Sequence, residues 1–219
     1  MTDLSPLAIS LKVSFSATIL TILVGLPAAY LLARKKIPFR PIWEGITLLP
    51  MVLPPTVMGY YLLVAFGKTN PFGRTFHALT GFDLVFTWQG ASVAACIVSI
   101  PMFIRTAQAG IAAVGRDYLD AAREMGASEF QTFRWIVAPI AMPSLLAGLG
   151  LAFARALGDF GATLMIAGNI PGLTRTMPLA VYDAVSSGDD RTALFYVIML
   201  SVVCMVAAVT ASQLTRPHT

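Results

Sequence analysis

Charge is what this sequence has least of. Asp, Glu, Lys and Arg make up 12% of its 219 residues, against 57% that are hydrophobic. A soluble domain carries about 25% charged residues, so this scarcity excludes an ordinary water-soluble fold, and the mean hydropathy of +0.75 agrees. Cysteine is nearly absent: Cys96 and Cys204 each fall inside an apolar run, where a thiol behaves as a small hydrophobe, so neither a disulfide nor a metal role is expected. Histidine is as rare, and His77 and His218 stand isolated without metal-ligand spacing. The net charge of +4 does not gather into a basic face with interleaved aromatics, which argues against nucleic acid as a partner. Phosphate-binding loops are missing as well. "FGKTN" (66–70) ends like one, but Leu62 stands where its first glycine would fall. "GLGLAF" (148–153) lacks the third glycine of a dinucleotide fingerprint and a strand before it. Gly148, Gly150, Ala152, Ala154 and Ala156 are read instead as small residues that let helices approach closely.

What is abundant is long apolar sequence. A helix needs about 20 apolar residues to cross the hydrocarbon, and five runs meet that length, at about 7–33, 42–66, 89–112, 136–158 and 192–214. The expected fold is all-α: a polytopic membrane protein with five transmembrane helices, residues 1–219 forming a single transmembrane domain. Only Asp3 among charged residues precedes the first run, so that run is read as a span rather than a signal peptide. Prolines inside the runs, among them Pro27, Pro54, Pro55, Pro101, Pro139 and Pro143, are tolerated where neighbouring helices satisfy the freed carbonyls. "GATLMIAG" (161–168) is apolar but too short to cross, so 159–191 is read as holding a re-entrant or interfacial segment packed on protein, the alternative being a short sixth span that would turn the C-terminus outward.

Nine of the fifteen Lys and Arg residues fall on one side of this map: Arg34, Lys35, Lys36, Arg40, Arg105, Arg116, Arg123, Arg134 and Arg216. The other side receives Lys68 and Arg74, then a mixture of Arg175, Asp183, Asp189, Asp190 and Arg191. The positive-inside rule therefore places the N-terminus outside and the C-terminus in the cytoplasm. Arg155 and Asp159 lie one helical turn apart and are expected to pair, while Arg105 and Glu44 are read as residues that reach for the headgroups.

The longest polar interruption, 117–135, then lies in the cytoplasm. Asp117 is expected to cap a helix starting at Tyr118, with Asp120 in its first turn. Gly126 supplies a left-handed stop, and "SEFQ" (128–131) reads as a capping box that starts a second helix. A first helix of about eight residues is far below the ~12–15 that are marginal in water, so something must hold it. Leu119, Ala122 and Met125 recur at a three-residue spacing and are expected to share one face, opposite Asp120, Arg123 and Glu124.

"DAAREMGAS" followed by "FRWIVAPIAMPSLLAG" resembles the EAA loop of ABC-importer permeases, a Glu-Ala-Ala triplet followed by Gly and later by Ile-x-Leu-Pro. Asp120, Ala121, Ala122, Gly126, Ile136 and Pro139 match; Asp120 stands for the usual Glu and Ala138 for the usual Leu. "LLPMVLPPTVMGYYLLVAFG" (48–67) and "ALGDFGATLMIAGNIPGLTRTMPLAVYDAV" (156–185) are similar to the molybdate branch of that family, with sulfate, thiosulfate and tungstate permeases as neighbours.

The resemblance implies a type I ABC-importer permease in the bacterial cytoplasmic (inner) membrane. On that resemblance it is expected to carry a tetrahedral oxyanion by alternating access and not to be an enzyme itself. It implies a coupling helix whose Leu119, Asp120, Ala121, Ala122, Arg123, Glu124, Gly126 and Ala127 meet a separate ATPase chain. ATP and Mg are expected on that chain, with no cofactor in this one. The implied assembly is a homodimer with two ATPase subunits and an extracytoplasmic oxyanion-binding protein, set in the lipid bilayer. Ser99, Thr163 and Asn169 are pathway candidates by depth and chemistry, because a desolvated dianion needs hydroxyl and amide donors. Two readings from other classes remain: a solitary secondary transporter, for which no internal repeat is visible, and a membrane-embedded enzyme, for which no convergent acids or histidines are visible.

Overall fold

The computed structural model of the protein describes residues 3–33 and 37–214, and every regular element among them is helical. Four helical stretches are long and apolar enough to cross a membrane: α1 (Ser5–Ala33), α5 (Trp88–Ala112), a rod over Glu129–Leu157, and α11 (Asp190–Leu214). The expected spans 7–33, 89–112 and 192–214 fall within them, and 136–158 overruns the rod by one residue.

Burial orders these four. In α5, 67% of the apolar window is buried, against 11% in α11, so α5 is the central post and α11 a peripheral helix. Helix α1 buries a single stripe, including Val13, Ala17, Thr21, Gly25 and Ala29, at the spacing of three and four residues that makes one helix face. Phe103 of α5 sits 1% exposed between Gly25 of α1 and Gly148 of the rod. A Cβ on Gly25 would come within 2.7 Å of its ring, and one on Gly148 within 3.2 Å. The small residues at 148, 152 and 156 are buried, as the close-approach reading expects.

The expected span 42–66 is not one straight helix. It forms α2 (Arg40–Val52) and α3 (Pro55–Phe66), bent by 105°. Pro54 and Pro55 remove two consecutive backbone donors, and the residue before a proline is driven out of the helical region; Leu53 accordingly has φ −73 and ψ 143. Among the described residues, four helices are thus long and apolar enough to span, or five if the bent pair is counted as one. A short helix, α4 (Pro71–Thr80), follows. Asn70 caps it, its side chain accepting from the Phe72 N–H, and Gly81 ends it at φ 77.

Residues 159–191 fold as α9 (Gly161–Ala167), the turn 168–176 and α10 (Met177–Ser186). The short apolar segment is packed on protein as expected: Ala162, Thr163, Ile166 and Ala167 of α9 are buried, against α3 and α5. α10 is tied to α1 where the Met177 N–H donates to Ser10 Oγ at 2.7 Å. Two apolar clusters run along the bundle. One, with Val13, Ala94 and Ile166, lies at the α9 end; the other, with Ala29, Phe103, Ile111 and Val137, lies at the opposite end, toward residues 116–137. Arg34, Lys35, Lys36 and Arg216, on which the orientation leans, lie outside the described residues, as does His218.

Candidate functional site

The polar stretch after α5 forms α6 (Arg116–Glu124), α7 (Glu129–Thr132) and a π-helical turn at Phe133–Val137 that runs into α8 (Ala138–Leu157). The start differs from expectation. Gly115, not Asp117, precedes the first helical residue, so α6 begins at Arg116 and Asp117 lies inside its first turn. Its negative charge still meets the positive end of the dipole there. Asp120 is one turn further on and pairs with Arg123 at 3.0 Å, both side chains largely exposed, a geometry that contributes little stability.

The end of α6 is as expected. Gly126 has φ 75, its N–H donates to Arg123 O at 2.9 Å, and the Ala127 N–H reaches back to Ala122 O at 3.0 Å. This pair of bonds is a Schellman stop. Two residues on, Gln131 N–H donates to Ser128 Oγ at 3.3 Å and Ser128 N–H to Gln131 Oε1 at 2.8 Å, the reciprocal capping box. From Glu129 the helix runs to Leu157, so α6 connects through one sharp joint to a rod of 29 residues. At 1.5 Å per residue that rod is about 43 Å long. Pro139, which has no N–H to give, sits at the π-to-α junction.

The expected common face of Leu119, Ala122 and Met125 holds for two of the three. Ala122 is fully buried and Leu119 packs on the cluster around Val114 and Val137, while Met125 is 79% exposed. Three residues are 300° of helix, so each step drifts by about 60° and the third residue leaves the face. Leu119 and Ala122 therefore seat α6 on the bundle. Its outward surface is Tyr118, Ala121 and Met125, joined by Phe130 from α7, all exposed. Sequence reasoning missed Tyr118 and Phe130, although Tyr118, Ala121 and Met125 have an equally helical spacing. Behind α6 lies a cavity of about 770 Å³, lined by Tyr30, Leu119, Asp120, Arg123 and Glu129 among others. Tyr30 of α1 bridges it, donating to Glu129 Oε2 at 3.0 Å and setting its ring edge-on to Phe133.

The pathway candidates do not form one cluster. Ser99 is buried in α5 with its hydroxyl donated to Cys96 O at 3.1 Å. Thr163 is buried in the first turn of α9, and both its N–H (3.0 Å) and its hydroxyl (2.8 Å) donate to Asp159 Oδ2. Arg155 approaches the other oxygen of Asp159 at 3.6 Å, so the expected pair forms and fastens the α8–α9 junction. Asn169 is half-buried; it accepts from Arg175 Nε at 2.9 Å and donates to Asp183 at 3.3 Å, and Arg175 pairs with Asp183 at 3.0 Å. Glu44 and Arg105, read separately from sequence, come within 4.0 Å, and Arg40 and Gln108 also bond to Glu44. His77, read as isolated, lies 3.0 Å from Asp83, which also holds Lys68 at 2.8 Å. Lys12 of α1 stands 3.7 Å from the centre of the Trp88 ring, a cation–π contact with no sequence signal.

Comparison with known proteins bears on this arrangement. The chain is 35% identical over 210 residues to the molybdenum transport system permease protein ModB of Escherichia coli (strain K12), across 95% of this chain and 91% of that one. It is 35% identical over 208 residues to ModB of Haemophilus influenzae, across 93% and 91%. It is 36% identical over 174 residues to the sulfate transport system permease protein CysT of Salmonella typhimurium, across 80% of this chain and 62% of that one. In fold it is similar to a solved structure of inward-facing conformations of the MetNI methionine ABC transporter, at a TM-score of 0.68 and 16% identity, covering 96% of this chain and 95% of that one. Residues 21–216 match the family described as "Binding-protein-dependent transport system inner membrane component", and the chain belongs to that family.

Proposed function

We propose that the protein is the permease subunit of an ATP-driven importer that carries molybdate across the bacterial cytoplasmic membrane by alternating access. One observation carries this reading: α6, only nine residues long, ends in the Schellman stop at Gly126 and is joined to the rod Glu129–Leu157. An isolated helix of that length does not persist in water. The bundle holds α6 along one edge, through Ala122 and Leu119, and leaves Tyr118, Ala121 and Met125 outward. A groove on a separate ATPase chain, which binds ATP and Mg, completes the packing. When two ATPase chains close, the α6 helices of two permease copies are drawn together, and each rod carries the motion into the spans.

In this assembly the bent pair α2–α3 crosses as one span, giving five, with the N-terminus outside and α6 in the cytoplasm. An extracytoplasmic binding protein delivers the anion. Asn169, held half-buried by Arg175 and Asp183, lies along the anion route. Ser99 and Thr163, with their hydroxyls bonded inward, support its wall. Molybdate as cargo rests on the likeness to ModB over nearly the whole chain. Sulfate is the alternative, on the likeness to CysT, with thiosulfate and tungstate as further tetrahedral anions.

The test is reconstitution of the protein with its cognate ATPase and binding protein in proteoliposomes, measuring uptake of labelled molybdate and sulfate. Molybdate uptake that requires ATP is the expected result. The double variant Tyr118→Ala, Met125→Glu is expected to lose ATPase co-purification and uptake while the permease still accumulates in the membrane. Uptake without ATP, or a double variant that still binds ATPase and transports, overturns the coupling reading. A binding protein that retains sulfate and not molybdate moves the cargo to its neighbour.

A further inference from the structure

Helix α4 presents an apolar stripe that the described residues cover only in part. Phe72, Phe76 and Leu79 recur at i, i+4 and i+7 and so share one face; Phe72 is 57% exposed and Leu79 82%. Arg74 lies about 200° around the helix from Phe72. Gly73 faces inward, so close to the Phe66 and Gly67 carbonyls that no Cβ fits there. The helix is thus pinned by one edge, with Leu79 and much of Phe72 turned away from the bundle.

Its orientation is held by aromatic rings and charges. Phe66, the last residue of α3, meets Phe72 and Phe76 edge-on at 5.2 and 5.3 Å, and Phe76 meets Phe82 at 5.7 Å. Asp83 clasps Lys68 from before the helix and His77 from within it. The chain then enters α5 at Trp88, the end of α5 remote from α6. With 25 residues, α5 separates its two ends by about 37 Å, so α4 lies at the opposite end of the bundle from the coupling helix.

We propose that α4 is an interfacial helix seated in the headgroup layer of the leaflet opposite α6, with Phe72, Phe76 and Leu79 in the acyl boundary. The occupant of its apolar face is lipid. The face continues an exposed apolar surface: α3, which leads into it, exposes Tyr60, Tyr61 and Val64, and lipid as occupant rests on the reading above in which α2–α3 crosses the membrane. Aromatic side chains are enriched at this depth, and an amphipathic helix with basic residues off its apolar face suits the plane of the interface. Arg74 then reaches the phosphate layer by extending from the helix edge.

The test is nitroxide labelling of Leu79→Cys and Arg74→Cys in a background with Cys96→Ala and Cys204→Ser, in phosphatidylethanolamine–phosphatidylglycerol liposomes. Thr75→Cys serves as a second probe on the apolar edge. Relaxation by oxygen, which partitions into lipid, is compared with relaxation by a water-soluble nickel chelate. The expected result is an oxygen-dominated label at 79 and 75 and a nickel-dominated one at 74, a reversal of sign across one helix. Nickel dominance at all three sites places the face in water and overturns the proposal. Labels at 79 and 75 shielded from both agents mean that protein covers the face, a second copy or the binding protein, and overturn it equally.

Discussion

Gly59 of α3 and Ala162 of α9 meet with no room for a methyl group between them. A Cβ on Gly59 would lie 2.7 Å from the Ala162 carbonyl oxygen and 2.7 Å from Met165 Cβ. The reciprocal contact is as tight, since a Cβ on Gly161 would lie 2.9 Å from Thr56. Backbone packed on backbone at this distance is how a seven-residue helix stays buried without crossing the membrane.

Gly59→Ala is expected to lower the thermal midpoint of the purified protein, at a cost of about 1–3 kcal/mol for overpacking. Gly45→Ala is the matched control: nothing lies within 4 Å of a Cβ there, and helix propensity alone stabilises by up to about 1 kcal/mol. Equal midpoints for the two variants would show that α3 and α9 do not pack as described.

Gly126 separates conformation from contact. Its φ of 75 disfavours any Cβ, yet the space around it is open, so a substitution strains the joint without a clash inside the chain. Gly126→Val is expected to cost about 1–2 kcal/mol and to abolish ATPase co-purification. Gly126→Asn tolerates the left-handed region and is expected to retain it. Pull-down of tagged ATPase reads both, and binding that survives in the valine variant removes the joint from the coupling path.

Helix α2 has no buried residue, so its polar end must hold it. Gln108 Nε2 reaches Leu32 O at 3.3 Å and Glu44 Oε1 at 3.4 Å, linking α1, α2 and α5. Gln108→Leu removes both bonds at similar volume, with an expected loss of about 1–3 kcal/mol since one acceptor is charged. Hydrogen exchange is expected to accelerate over 40–52 and not over 88–104. Unchanged exchange in α2 would mean that its anchor lies elsewhere.

Acid should loosen α4. The hydrogen bond from Lys68 is the main cause that holds the Asp83 carboxyl below the ordinary carboxylate range, with the Lys68 and His77 charges adding to it. A depressed folded value means the contribution is complete above the ordinary pKa and is lost as pH falls through the folded value. The 67–87 segment is therefore expected to keep its exchange protection at neutral and mildly acidic pH and to lose it below the ordinary carboxylate range. Asp83→Asn at neutral pH is expected to reproduce the acid behaviour. If protection in that variant equals the wild type, the clasp contributes nothing.

The local stops and starts were legible because they are written in adjacent residues. Ser128 and Gln131 cap each other three positions apart, and Gly126 ends a helix by its own backbone freedom. The N-terminus of α6 was misplaced because Asp117 is a good cap by type, while the chain leaving α5 gave that place to Gly115. The bend at Leu53 was written in Pro54 and Pro55, yet prolines inside apolar runs are usually tolerated. Pro50 and Pro101 sit within intact helices, so only the doubled proline broke one.

By itself the sequence determined that the chain is a helical membrane protein, which stretches are long enough to cross, and that a short capped helix interrupts them. Apolar length, charge placement and capping act over a few neighbouring residues, so they survive in one dimension. Only the tertiary structure decided which side of α6 faces the bundle, that α3 cradles α9, and that Glu44, Arg105 and Gln108 meet. Those contacts join residues tens of positions apart, and they depend on helix rotation and close approach, which linear spacing does not specify.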